Sequence, residues 1–305
     1  MNNNITGKIL KSVGGFFHVE RSLGAHADDP AGGILLCTAK GLFRHKNITP
    51  CAGDNVIVEI KDGTPIITDV LPRKNHIVRP PLANLDAAVI VISTVEPAPN
   101  RLILDKLIAI FESKEIESIP LFTKTDRKED TELIGIYKKA GFKIFSISNA
   151  NGDGIEELRD FLQNSGFTAA LIGNTGVGKS STLNSLFPEF ALETAEISRK
   201  LGRGKHTTRQ VELYGLGDCG YIADTPGFST VEAAKYGKLA SEDVALYFRE
   251  FIPFLDKCKF KGCRHTKEEG CAVIAALKNG VITDSRFDSY VRIYEDAREE
   301  ERSYK

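Results

Sequence analysis

Gly173-Asn174-Thr175-Gly176-Val177-Gly178-Lys179-Ser180 is the stretch on which the reading of the fold turns. It fits GxxxxGK[ST]. The apolar run Ala169–Ile172 precedes it, and Ser180–Phe187 behind it has helical spacing. A glycine loop between a buried strand and a helix is the setting that gives this motif its meaning. Its glycines let backbone N–H groups curl around phosphate oxygens, and the helix start adds partial positive charge. Lys179 is expected to reach the β- and γ-phosphates, and Ser180 to hold Mg²⁺. Asn174, Thr175, Val177 and Ser181 complete the residues expected to line the nucleotide.

Upstream, the chain alternates apolar runs with helical spacing. Ala87–Thr94 is continuously apolar, as in a strand buried on both faces. Arg101–Ile116 follows with helical spacing. Ile119–Phe122 and Phe142–Ile147 read as further strands, and Ile155–Leu162 as a helix. Such alternation predicts a mostly parallel sheet flanked by helices.

Thr123-Lys124-Thr125-Asp126 ends one of these strands. It resembles the guanine-reading NKxD motif. The Asp126 carboxylate can accept from guanine N1–H and the 2-amino group, and adenine offers neither donor. The Lys124 stem is expected to lie along the base. Thr123 stands where asparagine is usual, and supplies one hydrogen bond in place of an amide's pair. Ser148-Asn149-Ala150 fits the second guanine loop, where a backbone N–H meets guanine O6. Downstream, Asp224-Thr225-Pro226-Gly227 follows an apolar run. Asp224 is the expected carboxylate on the Mg²⁺ side, and the Gly227 N–H the expected γ-phosphate donor.

The guanine-type motifs therefore come before the phosphate loop, and DTPG after it. That rotated order is what circular permutation produces. Residues 5–71 read as five short strands separated by turns, which suits a small β-barrel. Ser22–Gly33 reads as an exposed, mobile loop. Pro72 and Pro80-Pro81 bracket an expected linker. Towards the other end, Cys258-x₄-Cys263-x-His265-x₅-Cys271 supplies three thiols and one imidazole, a closed set suited to one structural Zn²⁺. Residues 241–252 and 284–304 read as helices around it.

These features together resemble the RsgA-type, circularly permuted GTPases of small-ribosomal-subunit biogenesis. The likeness takes in Ala83-Asn84-Leu85-Asp86 and Gly204-Lys205-His206-Thr207-Thr208. It implies a multidomain chain: an N-terminal OB-type β-barrel (1–75), a central, circularly permuted α/β P-loop GTPase domain (76–232) and a C-terminal, mostly helical zinc-binding domain (233–305). It also implies hydrolysis of GTP to GDP on the assembling small ribosomal subunit and its rRNA, late in maturation and stimulated by that subunit. The same four Cys and His ligands are implied for zinc.

Ser198–Arg209 holds five basic residues and no acid. Its Thr207 or Thr208 is expected to close over Mg²⁺ and the γ-phosphate. Phe228 occupies the place where many GTPases carry a water-orienting glutamine. That leaves His206 either to position the attacking water or to face phosphate or RNA. Only 31 residues separate Gly227 from Cys258, so release of the switch is expected to reposition the zinc segment. An alternative reading is an RNA-binding module that senses GTP without significant turnover.

Composition sets the outer limits. Forty basic and 41 acidic residues give a net charge of −1, so the chain is not a general DNA coat. No run of about 18 apolar residues suggests a membrane span. The N-terminus lacks a secretory pattern. A cytoplasmic monomer with no DNA or membrane partner is the expectation. Two local basic patches are candidates for RNA. One is Lys40, Arg44, His45 and Lys46 beside Phe43. The other is Lys257, Lys259, Lys261, Arg264 and Lys267 beside Phe260.

Overall fold

The structure, a computed structural model, describes residues 4–22, 33–40, 43, 48–189, 211–217, 220–224 and 236–303, with Asp224 by its backbone alone. These residues fall into two compact units. The first is drawn from Met1–Ala87, Asp160–Leu171 and Glu189–Phe228, the second from Ala88–Arg159, Ile172–Pro188 and Ser229–Lys305.

The first unit begins with Asn4–Val13 (β1), Phe16–Arg21 (β2), Ile34–Ala39 (β3), Asn55–Lys61 (β4) and Thr64–Val70 (β5). β1 pairs with β2, β2 with β3, β5 with β4 and β4 with β1, all antiparallel, and β3 pairs with β5 in parallel. The ring is closed, as the barrel reading predicts. Period-two alternation turns Ile9, Val19, Cys37, Val56, Val58 and Ile67 inward, each fully buried. Gly7 pairs with both Arg21 and Val56. A Cβ at this position would lie 2.5 Å from the Glu20 carbonyl oxygen, so β1 and β2 approach this closely only over glycine.

Two expectations in this region change. Phe43 is 5% exposed and belongs to the barrel core. It is therefore not available to stack on a base, and Arg44, His45 and Lys46 lie outside the described residues. The expected linker is an ordered, buried tie. Strands His76–Ile77 and Leu82–Ala83 pair, and Ile77, Leu82, Ala83 and Leu85 are fully buried. The Asn75 side chain bonds both the N–H and the C=O of Leu85, at 2.9 and 2.8 Å. Arg73 grips buried Asp54 at 2.7 and 2.8 Å. Proline pairs read alike whether solvated or packed, which is why the sequence did not disclose this. The loop 23–32 lies outside the described residues.

The same unit holds the strand Thr168–Ile172 as far as Leu171; the strand is buried throughout and pairs in parallel with Gly220–Asp224, which pairs antiparallel with Glu212–Leu216. In that register Asp224 lies one residue beyond the Ala170–Ala223 pair.

In the second unit, Ala87–Ser93 (from Ala88 on), Glu117–Thr123 and Phe145–Ser146 lie side by side, the last two in parallel. The expected strand over Phe142–Ile147 shortens to two residues, because the Phe142 N–H caps the preceding helix on Tyr137 O at 3.1 Å. Helices run over Arg101–Glu112, Thr131–Lys139, Ile155–Ser165 and Lys179–Leu186. The Asn100 side chain caps the first of them by accepting from Ile103 N–H at 3.1 Å.

The expected helix over 241–252 is instead a pair of 3-10 turns, Val244–Tyr247 and Ile252–Lys257. Pro253 opens the second. Phe248 and Phe251 are turned inward onto Tyr290, with ring centroids 5.4 and 4.9 Å away. The helix Ala272–Lys278, begun directly after Cys271, was not anticipated. The helix Asp284–Ser303 was. Its Arg286, 1% exposed, reaches Asp105 of helix Arg101–Glu112 at 2.6 Å and Glu250 at 2.7 Å. The Arg286 guanidinium lies 4.5 Å from the centre of the Phe248 ring. One apolar core spans both segments, joining Ala109 to Phe248, Phe251, Tyr290 and Ile293.

Candidate functional site

The glycine loop leaves the buried strand Thr168–Ile172 and enters the helix Lys179–Leu186, as its sequence requires. Gly173 lies against the next strand, where a Cβ would meet Val91 O at 2.6 Å. Gly176 and Gly178 have φ of +82° and +105°, values that side chains disfavour. Gly178 caps the helix, so the first amides of the helix open into the loop. The Lys179 ammonium donates to Gly173 O at 2.6 Å and Asn174 O at 2.7 Å. The cation thus lies against the loop it is expected to serve.

The TKTD segment is fastened to this loop. Thr123, fully buried, donates its hydroxyl to Val177 O at 2.7 Å. Lys124, at φ +62°, donates to Gly176 O at 2.9 Å and to Glu96 O. Asp126 is exposed, and one carboxylate oxygen accepts from Ser148 Oγ at 2.7 Å. Thr125 Oγ1 donates to Ile147 O at 3.0 Å. Asn149 donates to Thr182 Oγ1 at 3.1 Å. Two loops and the phosphate loop, distant in sequence, therefore form one surface that joins an anion cradle to a carboxylate. Of the remaining predicted residues, His206, Thr207, Thr208 and Gly227 lie outside the described residues, and Asp224 is placed by backbone alone.

The second constellation is Cys258, Cys263, His265 and Cys271, whose donor atoms lie within 4.8 Å of one another. Cys258 Sγ is 3.9 Å from Cys271 Sγ, and His265 Nδ1 is 3.4 Å from each of these sulfurs. A tetrahedral Zn²⁺ with ordinary bond lengths requires about 3.7 Å between sulfurs and about 3.5 Å between sulfur and nitrogen. The residues fit a metal. Burial pushes the Cys263 thiol up to about 12, which disfavours a thiolate without a neighbouring cation. The Ala272 N–H donates to Cys258 Sγ at 3.4 Å.

His265 sits at φ +55° in a tight loop. The Glu268 carboxylate accepts from the backbone N–H of Arg264, Thr266 and Lys267 at 3.1, 3.0 and 3.1 Å. Burial pushes Glu268 up, but these bonds outweigh it and hold its pKa below the usual value. The spacing of the ligands was legible in sequence, and the role of Glu268 was not. The five cations around the cluster are all exposed, and Phe260 is 52% exposed beneath Lys259, 5.3 Å from its ring centre.

A phosphate loop preceded in sequence by guanine-type loops fastened to it, with a barrel ahead and a metal-ligand cluster behind, defines a circularly permuted GTPase. Comparisons with known proteins agree. Residues 70–234 match the RsgA GTPase family model, and residues 6–65 match that of the RsgA N-terminal domain. The small ribosomal subunit biogenesis GTPase RsgA of Caldanaerobacter subterraneus subsp. tengcongensis is 40% identical over 99% of both chains. A protein of Oceanobacillus iheyensis named small ribosomal subunit biogenesis GTPase RsgA 2 is 41% identical over 95% of this chain and 96% of its own. The crystal structure of YjeQ from Thermotoga maritima superposes with a TM-score of 0.77 at 29% identity, covering 96% of this chain and 98% of that one. That of YloQ, described as a circularly permuted GTPase, gives 0.76 at 28% identity, covering 98% and 97%. The chain belongs to the RsgA GTPase family, and it is a GTPase.

Proposed function

We propose that this GTPase binds the assembling small ribosomal subunit in the cytoplasm and acts in its late maturation as a monomer, with turnover stimulated by the subunit. The observation that carries the chemistry is the bonding of Thr123 and Lys124 to the carbonyls of Val177 and Gly176. It couples guanine reading to phosphate binding. The ribosomal partner is taken from the names of the relatives.

In this reading Asp126, oriented by Ser148, accepts from the Watson–Crick edge of guanine, and the backbone N–H of Asn149 meets O6. The loop amides of Gly173–Ser181 cradle the phosphates, and Lys179 turns from its loop carbonyls to the β- and γ-phosphates. Mg²⁺, bound with the nucleotide, offsets charge that develops on the phosphates. Ser180 and Asp224 are its proposed ligands, with Thr207 or Thr208. Gly227 N–H holds the γ-phosphate, and His206 is the candidate to place the attacking water. The cysteine cluster takes one structural Zn²⁺, since four protein ligands leave no open position. The exposed cations around Phe260 face rRNA.

The barrel to residue 75, the GTPase domain over 76–232 and the zinc domain over 233–305 are the proposed functional divisions. Turnover of GTP with and without purified small subunits, with ATP as control, tests the proposal. GTP-only turnover raised strongly by the subunit is expected. GTP binding without stimulation would overturn the proposed coupling.

A further inference from the structure

Two clefts open beside the metal-ligand loop. One, of about 480 Å³, has buried Tyr290 and Tyr294 in its lining together with Arg264, Arg298 and Arg302. The other, of about 600 Å³, is lined by Leu246, Leu255 and Phe260, with Lys259 and Lys261. Glu242, Ala245, Gly262, Cys263 and His265 line both, so the two clefts are neighbours along one groove. Each has the volume of an ordinary ligand site.

The first cleft is cationic. Tyr290, Tyr294, Arg298 and Arg302 recur every four residues of the helix Asp284–Ser303 and form one stripe along it. Arg264 is tied to the same stripe, because the Tyr290 hydroxyl donates to its carbonyl at 2.6 Å. None of the three guanidinium groups has an ion-pair partner among the described residues. The carboxylate nearest to hand, Glu301, is taken up by the N–H and hydroxyl of Ser241 at 2.7 and 2.8 Å. Guanidinium forks without a carboxylate suit phosphate oxygens, which they hold in pairs.

The second cleft is apolar. Leu246 is 53% exposed and Phe260 52%, and the Lys259 ammonium lies 5.3 Å from the Phe260 ring centre. An apolar wall beside a phosphate-binding rim is what a nucleotide needs once its base has left the stack. A duplex keeps its bases inside and would meet only the cations. Five cations against three carboxylates line the groove as a whole, which favours a polyanion over a peptide.

We propose that this groove holds a single-stranded stretch of RNA, with one unstacked base lodged between Leu246 and Phe260 and the backbone phosphates on Arg264, Arg298 and Arg302. This rests on the reading that the cations of the metal-ligand loop face rRNA. It extends that surface to the 3-10 turn Val244–Tyr247 and to the last turns of the helix Asp284–Ser303.

The test is binding of the intact, zinc-loaded protein to a fluorescent single-stranded RNA of about 10 nucleotides, to the same RNA as a duplex, and to purified small subunits, each at several salt concentrations. Wild type is expected to prefer the single strand. Leu246→Ser should weaken single-strand binding about 5–10-fold without changing the salt slope. Arg298→Gln and Arg302→Gln should each lower that slope by about 0.7, the worth of one phosphate on a single strand. All three positions lie at the surface, and unchanged zinc content and circular dichroism check the fold. Equal binding of duplex and single strand by wild type overturns the proposal, and so do wild-type affinities in all three variants. Subunit binding lost in Leu246→Ser while RNA binding is kept would give the groove to a protein partner and overturn it too. If Lys259→Gln and Lys261→Gln weaken binding where these three variants do not, the rRNA reading stands and the groove alone falls. Failure of wild type to bind either RNA or the subunit would overturn that reading itself.

Discussion

Arg286 and Asp105 form a 2.6 Å ion pair across 181 residues of sequence, with both side chains 1% exposed. Tyr137 adds a bond to the same Asp105 oxygen at 3.1 Å, and Glu250 takes the other side of the guanidinium. Tyr290, on the same helix as Arg286, donates to Arg264 O in the metal-ligand loop at 2.6 Å. The ligand loop is thus tied to helix Arg101–Glu112, and a switch that displaced the loop would have to carry that helix with it. Arg286→Met leaves Asp105 and Glu250 buried without their shared partner. It should lower stability by about 3–5 kcal/mol, read from urea or thermal unfolding. Arg286→Met with Asp105→Leu should recover much of the loss. A single substitution that costs under about 1 kcal/mol would contradict the account.

Removing the Lys179 ammonium takes away a cation seated against the carbonyls of Gly173 and Asn174 in the phosphate loop. Lys179→Ala should reduce GTP turnover at least ~10²-fold, the usual scale for a preorganised charge on a developing anion. The fold should be unaffected, because the bonds that Lys179 makes to Gly173 O and Asn174 O lie in the loop itself. Multiple-turnover phosphate release and circular dichroism on the same sample check both halves.

The Cys₃His cluster should hold one equivalent of zinc, measured by elemental analysis of the purified protein. Cys271→Ser or strong chelation should unfold the loop 258–271 first, because its short segments bury little apart from the ligands. Hydrogen exchange should rise there and at Tyr290. It should stay unchanged in the barrel strands, whose core of Ile9, Val19 and Val58 shares no residue with the cluster.

Lys259 and Lys261 are exposed beside Phe260, so substitution should alter binding without altering the fold. If they contact phosphates, each change to Gln should weaken subunit binding and reduce the slope of log affinity against log salt by about 1. Phe260→Ala should weaken binding without changing that slope. An unchanged slope in both lysine variants would place the nucleic-acid contact elsewhere.

The parts that could be read from sequence were those in which residue type is fixed by local chemistry. GNTGVGKS, TKTD and the spacing of Cys258, Cys263, His265 and Cys271 each demand particular residues at particular intervals. The alternating strands of the barrel were legible for the same reason. What escaped depended on contacts distant in sequence. Phe43 looks like an aromatic within a basic patch until the barrel closes over it. Asn75 looks like linker polarity until it bonds to Leu85. The 3-10 turns at 244–257 carry helical spacing, but Pro253 and the packing of Phe248 and Phe251 on Tyr290 decide otherwise. Asp105 reads as an ordinary polar position in a helix, because its partner lies 181 residues on.

That separation also bears on how the chain comes to be made. At about 5–20 residues per second, Asp105 emerges from the ribosome roughly 10–40 s before Arg286 does. Throughout that interval the helix Arg101–Glu112 lacks its guanidinium, and Tyr290 and Tyr294 of the cluster that packs on Ala109 come later still. The nascent GTPase core must therefore wait with an unsealed apolar face until the helix Asp284–Ser303 has been made and closes it.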